Sequence, residues 1–565
     1  MRRWGALAVA PLLSAGPAAA AEVWTATRDV RACAVVDAHV VLAATTGGVV
    51  RVKDGAIERV YTALDGLPDT QASALLVEPD GAWIGTEGGL ARLANGVVSP
   101  KGKGHPHVRA LLRSGSSLYA GTWGEGLLRL DGDALAPLAF AAPGPLGRSK
   151  VSSLVAHEGS LVAGTMGGAY RLEGGALRAV VKDGPLDVFA LGTHGGRLWI
   201  GALDGVRTLG PGGLRFEAND DVRAFAATGS DLWAGAFSSG LLHPGKAGLV
   251  KLPLANVPGH VQALGVSAAA RCVGTREGLF VGVGSGALAP VTRAELPSND
   301  LVALAAIGAR TFVGTYDHGL AVIEGGVVKV IAGVDPRVNA LAVDGEKLWV
   351  GTARGLYAVD AKNAVVAHVG EIEGLPAGDV HALAPLAGGG VFVGTAKGAA
   401  LVRGGAVTVL GKKQGLGGEA AWAVLETPDG SKWVGTSAGL FVLRKAAKVW
   451  ERYSHVSGHL PDDWVTALVA RGDKVFVGTY AGGVVEATLG QKLTATPLGG
   501  GMVNLAGLSF DGDTLLVATM DGLLSRKASG PLVARSGALG RDVTAALRTP
   551  SGLFVASRRG LSRVP

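Results

Sequence analysis

Residues 348–360 read LWVGTARGLYAVD, and this stretch decides the fold. Leu348, Trp349 and Val350 make a short apolar strand. Gly351 and Thr352 end it, Ala353 and Arg354 turn, and Gly355 supplies a residue free to take positive φ. Leu356, Tyr357, Ala358 and Val359 return as a second strand. The result is a tight hairpin, apolar on both sides of a Gly-containing turn. The Thr352 hydroxyl suits a bond to turn backbone, and Gly351 leaves room for a neighbouring sheet to approach. One hairpin is marginal in water, so this one needs partners.

The partners are further copies of itself. Aligned on the Gly of the GT step, repeats fall at Ala44, Gly85, Gly121, Gly164, Gly201, Gly235, Gly274, Gly314, Gly351, Gly394, Gly435, Gly478, Ala518 and Ala556. Spacings run from 34 to 43 residues. Each unit has an upstream signature, LPDDWVTAL at 460–468 or LPAGDVHAL at 375–383, which is a turn leading into an h-x-A-L strand. A fourth apolar stretch follows the hairpin, as at 364–369. Four short strands per unit of about 40 residues is the pattern of a β-propeller blade. Fourteen blades exceed the usual ring, so the expectation is all-β: two seven-bladed β-propellers, residues 22–290 and 291–565. Residues 22–27, EVWTAT, look like a fourth strand without its first three, and residues 560–564 like a third strand without its fourth. The first would then close the last blade of the second ring, placing the chain's start in the ring it enters last. A discontinuous arrangement or a single open assembly stays open.

Composition bounds the rest. Arg2 and Arg3 precede an apolar run to about Leu13 and small residues Ala18 to Ala21, the layout of a Sec-type signal peptide over residues 1–21. A periplasmic or secreted location is expected. Apolar character elsewhere is broken every few residues, so no membrane span is expected. Lys and Arg number 53 against 46 acidic residues, an ordinary, mildly basic surface that does not imply a nucleic-acid partner. The one basic concentration, Lys101, Lys103, His105 and His107, reads as a solvated loop.

The pattern LP-x-N/D-x-V-x-A-L followed by DG-x-W-V-GT-x-x-GL resembles the two-component regulator propeller repeat. Residues 61–93, YTALDGLPDTQASALLVEPDGAWIGTEGGLARL, are its clearest copy, and the resemblance spans essentially all of residues 22–565. It implies two seven-bladed propellers of the kind that form the periplasmic sensor region of hybrid histidine kinases, many of which respond to glycans. Up to Pro565 no immunoglobulin-like domain, membrane helix or kinase is read, so the resemblance carries the binding scaffold and leaves signalling open.

Candidate chemistry is sparse. Gly435-Thr436-Ser437-Ala438-Gly439 matches a nucleophile elbow, but that motif needs a strand, a strained turn and a helix, and here it is one more repeat hairpin. The pairs Asp220–Asp221 and Asp462–Asp463 read as turn residues. His residues are scattered, with no metal-ligand spacing. No Walker, Rossmann or haem-attachment motif appears, so neither cofactor, metal nor catalytic residue is expected.

The inner strand of a propeller blade begins at the central channel. The residue before each h-x-A-L strand should therefore stand at one channel mouth. In the first ring these are Asp29, Gln71, His107, Lys150, Asp187, Asp221 and His260; in the second, Asp300, Arg337, Asp379, Ala421, Trp464, Asn504 and Asp542. Turn-to-strand junctions favour polar residues anyway. The functional reading is a rim suited to a polar ligand, with Trp464 offering a sugar a flat face and a donor. Trp83, Trp199, Trp233, Trp349 and Trp433, with Phe312, Phe392, Phe476 and Phe554, recur at one internal slot and read as core between blades.

Cys33 falls in the Leu341 slot of blade one, Cys272 in the Trp349 slot of blade seven. They are neighbours only if the first seven blades close, and would then form a disulfide or lie as two buried thiols. The functional expectation is a non-catalytic ligand-binding or sensor-like module. An envelope protein-interaction scaffold is the alternative, and a propeller lyase or glycosidase is a third.

Overall fold

The computed structural model describes residues 21–565 apart from 143, 182–183, 230, 246–247, 253–256, 285, 412–414 and 417–418. The signal-peptide segment, residues 1–20, lies outside the described residues. The chain forms 14 four-stranded sheets, and all strand pairs named here are antiparallel. The ninth blade is typical: Val338–Asp344, Lys347–Thr352, Gly355–Val359 and Val365–Val369 pair in sequence order. Among the described residues the helical content is a single 3-10 turn, Ala63–Asp65, capped by Thr62.

Each feature of the opening hairpin has a physical task. A methyl group on Gly351 would sit 2.6 Å from Cγ1 of Val380, the residue that opens the inner strand of the next blade. The same holds for Gly85 against Val108 and Gly314 against Val338, again at 2.6 Å. Where Ala44 replaces this Gly, the next blade opens with the smaller Ala72, and both are buried in one cluster. Thr352 Oγ1 donates to the Gly355 carbonyl at 2.9 Å and accepts from the Arg354 N–H at 3.1 Å, closing the turn. Gly355 takes φ +124°. The aromatic slot is core: Phe312 and Phe392 are 0% exposed and Trp433 1%. Trp83 departs from the rule. It is half-buried, donates to Glu78 at 3.0 Å, and lies under Arg92 at 5.2 Å.

Inner strands pack blade on blade and close two separate rings of seven. In ring 1 the seventh inner strand, Val261–Val266, packs on the first, Val30–Val35. In ring 2 the fourteenth, Val543–Thr549, packs on the eighth, Leu301–Ile307. The rings are fastened differently. Glu22–Trp24 supplies the outer strand of blade 14, with Trp24 opposite Leu561. Ring 1 has no exchanged strand; Cys33 and Cys272 join blades 1 and 7 in a disulfide with Cα atoms 6.3 Å apart, inside the normal range. Gly265 makes room for it, since a methyl group there would lie 2.7 Å from the Cys272 sulfur.

The chain crosses between rings twice. Thr25, Ala26 and Thr27 form a buried strap from blade 14 to blade 1. Asn299 clamps it, accepting from the Ala26 N–H at 2.7 Å and donating to its carbonyl at 2.8 Å. Glu295 accepts from the Thr27 N–H at 2.7 Å and pairs with Arg28 at 3.0 Å. The return passage follows Ala289–Val291, the outer strand of blade 7. A boundary between residues 290 and 291 therefore cuts that strand one residue early, and residues 22–24 belong to ring 2.

Three substitutions test this account by chemical denaturation. Gly351→Ala should cost about 1–3 kcal/mol through overpacking. Trp433→Ala should cost about 3–5 kcal/mol. Cys33→Ser should cost about 2–4 kcal/mol, and peptide mapping without reductant should recover the Cys33–Cys272 pair from the unmodified protein.

Candidate functional site

A recurring backbone hydrogen bond marks the turn-to-strand junctions at the inner strands, the positions expected at the channel mouths. In most blades the residue after the GT step donates its N–H to the carbonyl of the residue just before its own inner strand. Examples are Trp123 to His107 at 2.8 Å, Phe237 to Asp221 at 2.9 Å, Tyr316 to Asp300 at 2.9 Å and Tyr480 to Trp464 at 2.9 Å. Asp29, Gln71, Lys150, Asp187, Arg337, Asp379 and Asp542 accept the same bond in their blades. His260 precedes Val261, and its own N–H donates to Phe237 of the preceding blade at 2.7 Å. Asp187, His260 and Asp542 take positive φ, 49°, 60° and 58°, a costly conformation for residues other than Gly.

Two assignments are corrected. Ala421 is the first residue of its strand, so Ala420 precedes it. In blade 13 the strand opens at Val503 and Met502 accepts the turn bond. Asn504 sits inside a long irregularity, since Val503 pairs with Thr519 but the next paired residue is Leu508, with Val517. The extra residues imitate the h-x-A-L pattern two residues too late.

The second residue of most inner strands is a β-bulge residue, as at Val380/Ala382 and Ala421/Ala423. A bulge re-aims its side chain. Here it reaches around the inner edge to the next blade. Asn339 donates to Asp379 at 3.0 Å and to the Val380 carbonyl at 2.9 Å; Asn504 does the same to Asp542 and Val543, at 3.1 and 2.7 Å.

Ring 2 collects aromatic rings at these positions. His381 stacks on Trp422 with centroids 4.1 Å apart and planes at 6°. Trp422 meets Trp464 at 5.9 Å, and Trp464 stacks on Tyr480 at 4.4 Å. In the neighbouring blades 8 and 9, Arg337 lies over Tyr316 at 5.1 Å. Arg558 holds Asp300 at 2.5 Å and Asp542 at 3.0 Å. Burial pushes the Asp300 carboxyl above its ordinary range, against the pull of Arg558. His381 Nδ1, Trp464 Nε1, Thr466 Oγ1 and Thr544 Oγ1 are buried without a protein hydrogen-bond partner among the described residues. Buried polar atoms without partners are rare, and these four stand at the inner strands of blades 10, 12 and 14 of ring 2. His381, Trp422 and Tyr480 were missed in the sequence. Their signal was present: they fill the x of h-x-A-L and the first turn position after GT.

Ring 1 is more basic. Arg223 pairs with Asp221 through a 2.7 Å hydrogen bond and lies 3.6 Å from the centre of the Phe189 ring. Phe237 and His260 meet at 4.6 Å. Arg31 is shared by Asp29 and Glu87, and Gln262 reaches Asp29 at 2.5 Å. Arg559 of ring 2 enters beside them, donating to Asp69 at 3.0 Å and Glu87 at 3.2 Å. The Gln71 amide fits between, with nitrogen toward Glu87 and oxygen toward Arg559, each at 2.7 Å. Thr70 adds a bond to the Leu539 carbonyl at 2.8 Å. Consecutive residues of one turn thus reach both mouths, Arg558 in ring 2 and Arg559 in ring 1.

Other sequence candidates fall elsewhere. Ser437 is exposed in the turn between antiparallel strands Lys432–Thr436 and Gly439–Leu443. Asp462 and Asp463 accept backbone N–H groups of Ala481 and His455. Among the described residues no group of three or more His, Cys, Asp or Glu is placed to hold a metal, and no helix is long and apolar enough to cross a membrane.

No protein-family model matches the sequence, and no curated protein does. Among solved structures, the chain is similar to PorZ, an essential surface component of the type-IX secretion system of Porphyromonas gingivalis. The TM-score is 0.73 at 16% identity, over 96% of this chain and 86% of that one. It is also similar to an ancestral GH74 enzyme, TM-score 0.68 at 12% identity, over 96% and 99% of the two chains. Both show the fold alone. The extracellular domain of a putative hybrid two-component system from B. thetaiotaomicron is a looser neighbour, TM-score 0.41 at 14% identity, over 96% and 81%.

Burial holds the His381 imidazole below its ordinary range, against the opposing pull of Asp379 at 3.4 Å. As pH falls through about 6.5 the unfolded chain takes up this proton before the folded one, so stability falls with it. Melting temperatures at about pH 7.5 and about pH 5.5 should therefore drop less for His381→Asn than for the unmodified protein. The carboxyls of Asp69 and Asp300, raised by burial, contribute with the opposite sign at lower pH and are common to both proteins.

Proposed function

We propose that this chain is a non-catalytic, sensor-like binding protein of the cell envelope that takes a polar ligand, a glycan in the first instance, at the ring 2 mouth. The observation that carries the reading is the His381–Trp422–Trp464–Tyr480 series beside buried donors without protein partners. Aromatic faces accept the apolar faces of sugar rings, and convergent polar groups fix their hydroxyls. Asp300, Asp379, Asp542 and Arg337 supply that polarity, with Asn504 behind them. An oxidising compartment, periplasmic or extracellular, is supported by the Cys33–Cys272 disulfide and by the leader-like composition of residues 1–21. The resemblance of the repeats to sensor propellers supports the same reading.

The hydrolytic alternative has one handle. Asp300 is raised by burial and lies near Asp542. Both carboxylates are engaged by one guanidinium, Arg558, which suits a structural clamp better than an acid and a nucleophile.

A glycan array, followed by titration of intrinsic Trp fluorescence, tests the proposal. A bound glycan should quench the fluorescence, and Trp464→Ala should weaken binding about tenfold or more, the scale of a stacked ring worth roughly 1.5 kcal/mol. No glycan signal together with recovery of an envelope protein in pulldown would replace it with the scaffold reading. Turnover of any polysaccharide, lost in Asp300→Asn, would replace it with the enzyme.

A further inference from the structure

The ring 1 mouth holds two cations without a direct ion-pair partner among the described residues. Of its cations, Arg31 is taken by Asp29 and Glu87, and Arg223 by Asp221. Arg109 and Lys150 have no carboxylate within ion-pair distance among the described residues. Both instead lie 5.4 Å from the centre of the Trp123 ring. Arg109 is the bulge residue of blade 3, half-buried at the inner edge. Lys150 is the exposed mouth residue of blade 4, and its backbone bridges to Trp123. Trp123 is itself 37% exposed. A half-buried guanidinium without a carboxylate is costly for a fold to keep. Burial, and then the neighbouring charge of Arg31, push its pKa down, against the weaker pull of Glu87 and Asp29. His107 adds a second signal, because its Nε2 is buried without a hydrogen-bond partner among the described residues, with Glu87 3.9 Å away, and it stands two residues before Arg109. One carboxylate, Asp187, stands at the next mouth position beyond Lys150, forms no ion pair among the described residues, and is held at positive φ.

These groups describe a complement. A guanidinium and an ammonium receive an oxyanion. The indole receives a flat, weakly polar face, and Asp187 receives hydroxyl donors. We infer that the ring 1 mouth is a second binding site, separate from the aromatic series of ring 2, and that it takes an oxyanion, carboxylate or phosphate, carried on a small hydroxylated solute. Arg109 and Lys150 hold the anionic group and Trp123 packs against the body that carries it.

Calorimetric titration of the whole chain at low salt tests this with glucuronate, glucose 6-phosphate, inorganic phosphate and glucose. At least one acidic probe should bind, more weakly as salt is added, and glucose should not compete. Lys150→Gln changes an exposed residue and should weaken the acidic probe about tenfold. Arg109→Gln should do the same without lowering the melting temperature, since it removes a charge without a direct ion-pair partner. Glucuronate favoured over glucose 6-phosphate identifies a carboxylate reader, and the reverse a phosphate reader; inorganic phosphate binding as tightly as either places the recognition in the anion alone. Trp464→Ala should leave all of these affinities unchanged, which separates this site from the ring 2 reading. Binding of no acidic probe, or affinity kept within about twofold in both charge variants, overturns the inference.

Discussion

The contact on which the molecule depends is that between the Gly of one hairpin and the Val opening the next blade. Gly351 against Val380 shows the terms: there is no space for even a methyl group. This closeness lets short sheets stack as wedges around an axis. It also fixes where variable chemistry stands. In most blades the Val is preceded by the mouth residue and followed by the bulge residue, so this recurring contact is flanked by two variable positions. Asp379 and His381 flank Val380; His107 and Arg109 flank Val108. The structural constant and the candidate sites are three consecutive residues.

That adjacency explains what was legible in the sequence. The fold was, because Gly, Thr and the aromatic slot recur with one physical job each. Most mouth positions followed, since they need only the strand's first residue. Blade 13 escaped because its inner strand carries extra residues within a wide irregularity, and Asn504 was taken for a mouth residue where Met502 stands. His381 and Trp422 escaped because alternation assigns the second residue of a strand to a blade face, whereas a bulge turns it inward. The pairing of Arg559 with Asp69 and Glu87 was not legible at all. It arises from the apposition of two rings, and neither local propensity nor repeat pattern encodes that.

The two mouths differ in charge and share one turn. Ring 2 presents aromatic faces with carboxylates held by Arg558. Ring 1 presents cations on aromatic faces, with Arg559 pinned to its acidic edge. Arg558 and Arg559 are consecutive, so the backbone of one turn carries a guanidinium to each mouth. The strap of Thr25, Ala26 and Thr27, held by Asn299 and Glu295, runs through the same seam. The junction is polar and densely bonded, unlike the apolar blade cores.

The difference in fastening has a consequence for the order of assembly. Ring 1 uses residues 30 to 291 and is pinned by its own disulfide, so its sheets take no strand from beyond residue 291. Ring 2 takes its outermost strand from Glu22–Trp24 and the partner of that strand from Gly560–Val564. Ring 1 can close as soon as residue 291 is made, whereas the outer edge of blade 14 waits for residues 22–24 and 560–564 to meet. One ring is shut by a covalent bond within its own stretch of chain, and the other by a strand drawn across the seam from before ring 1.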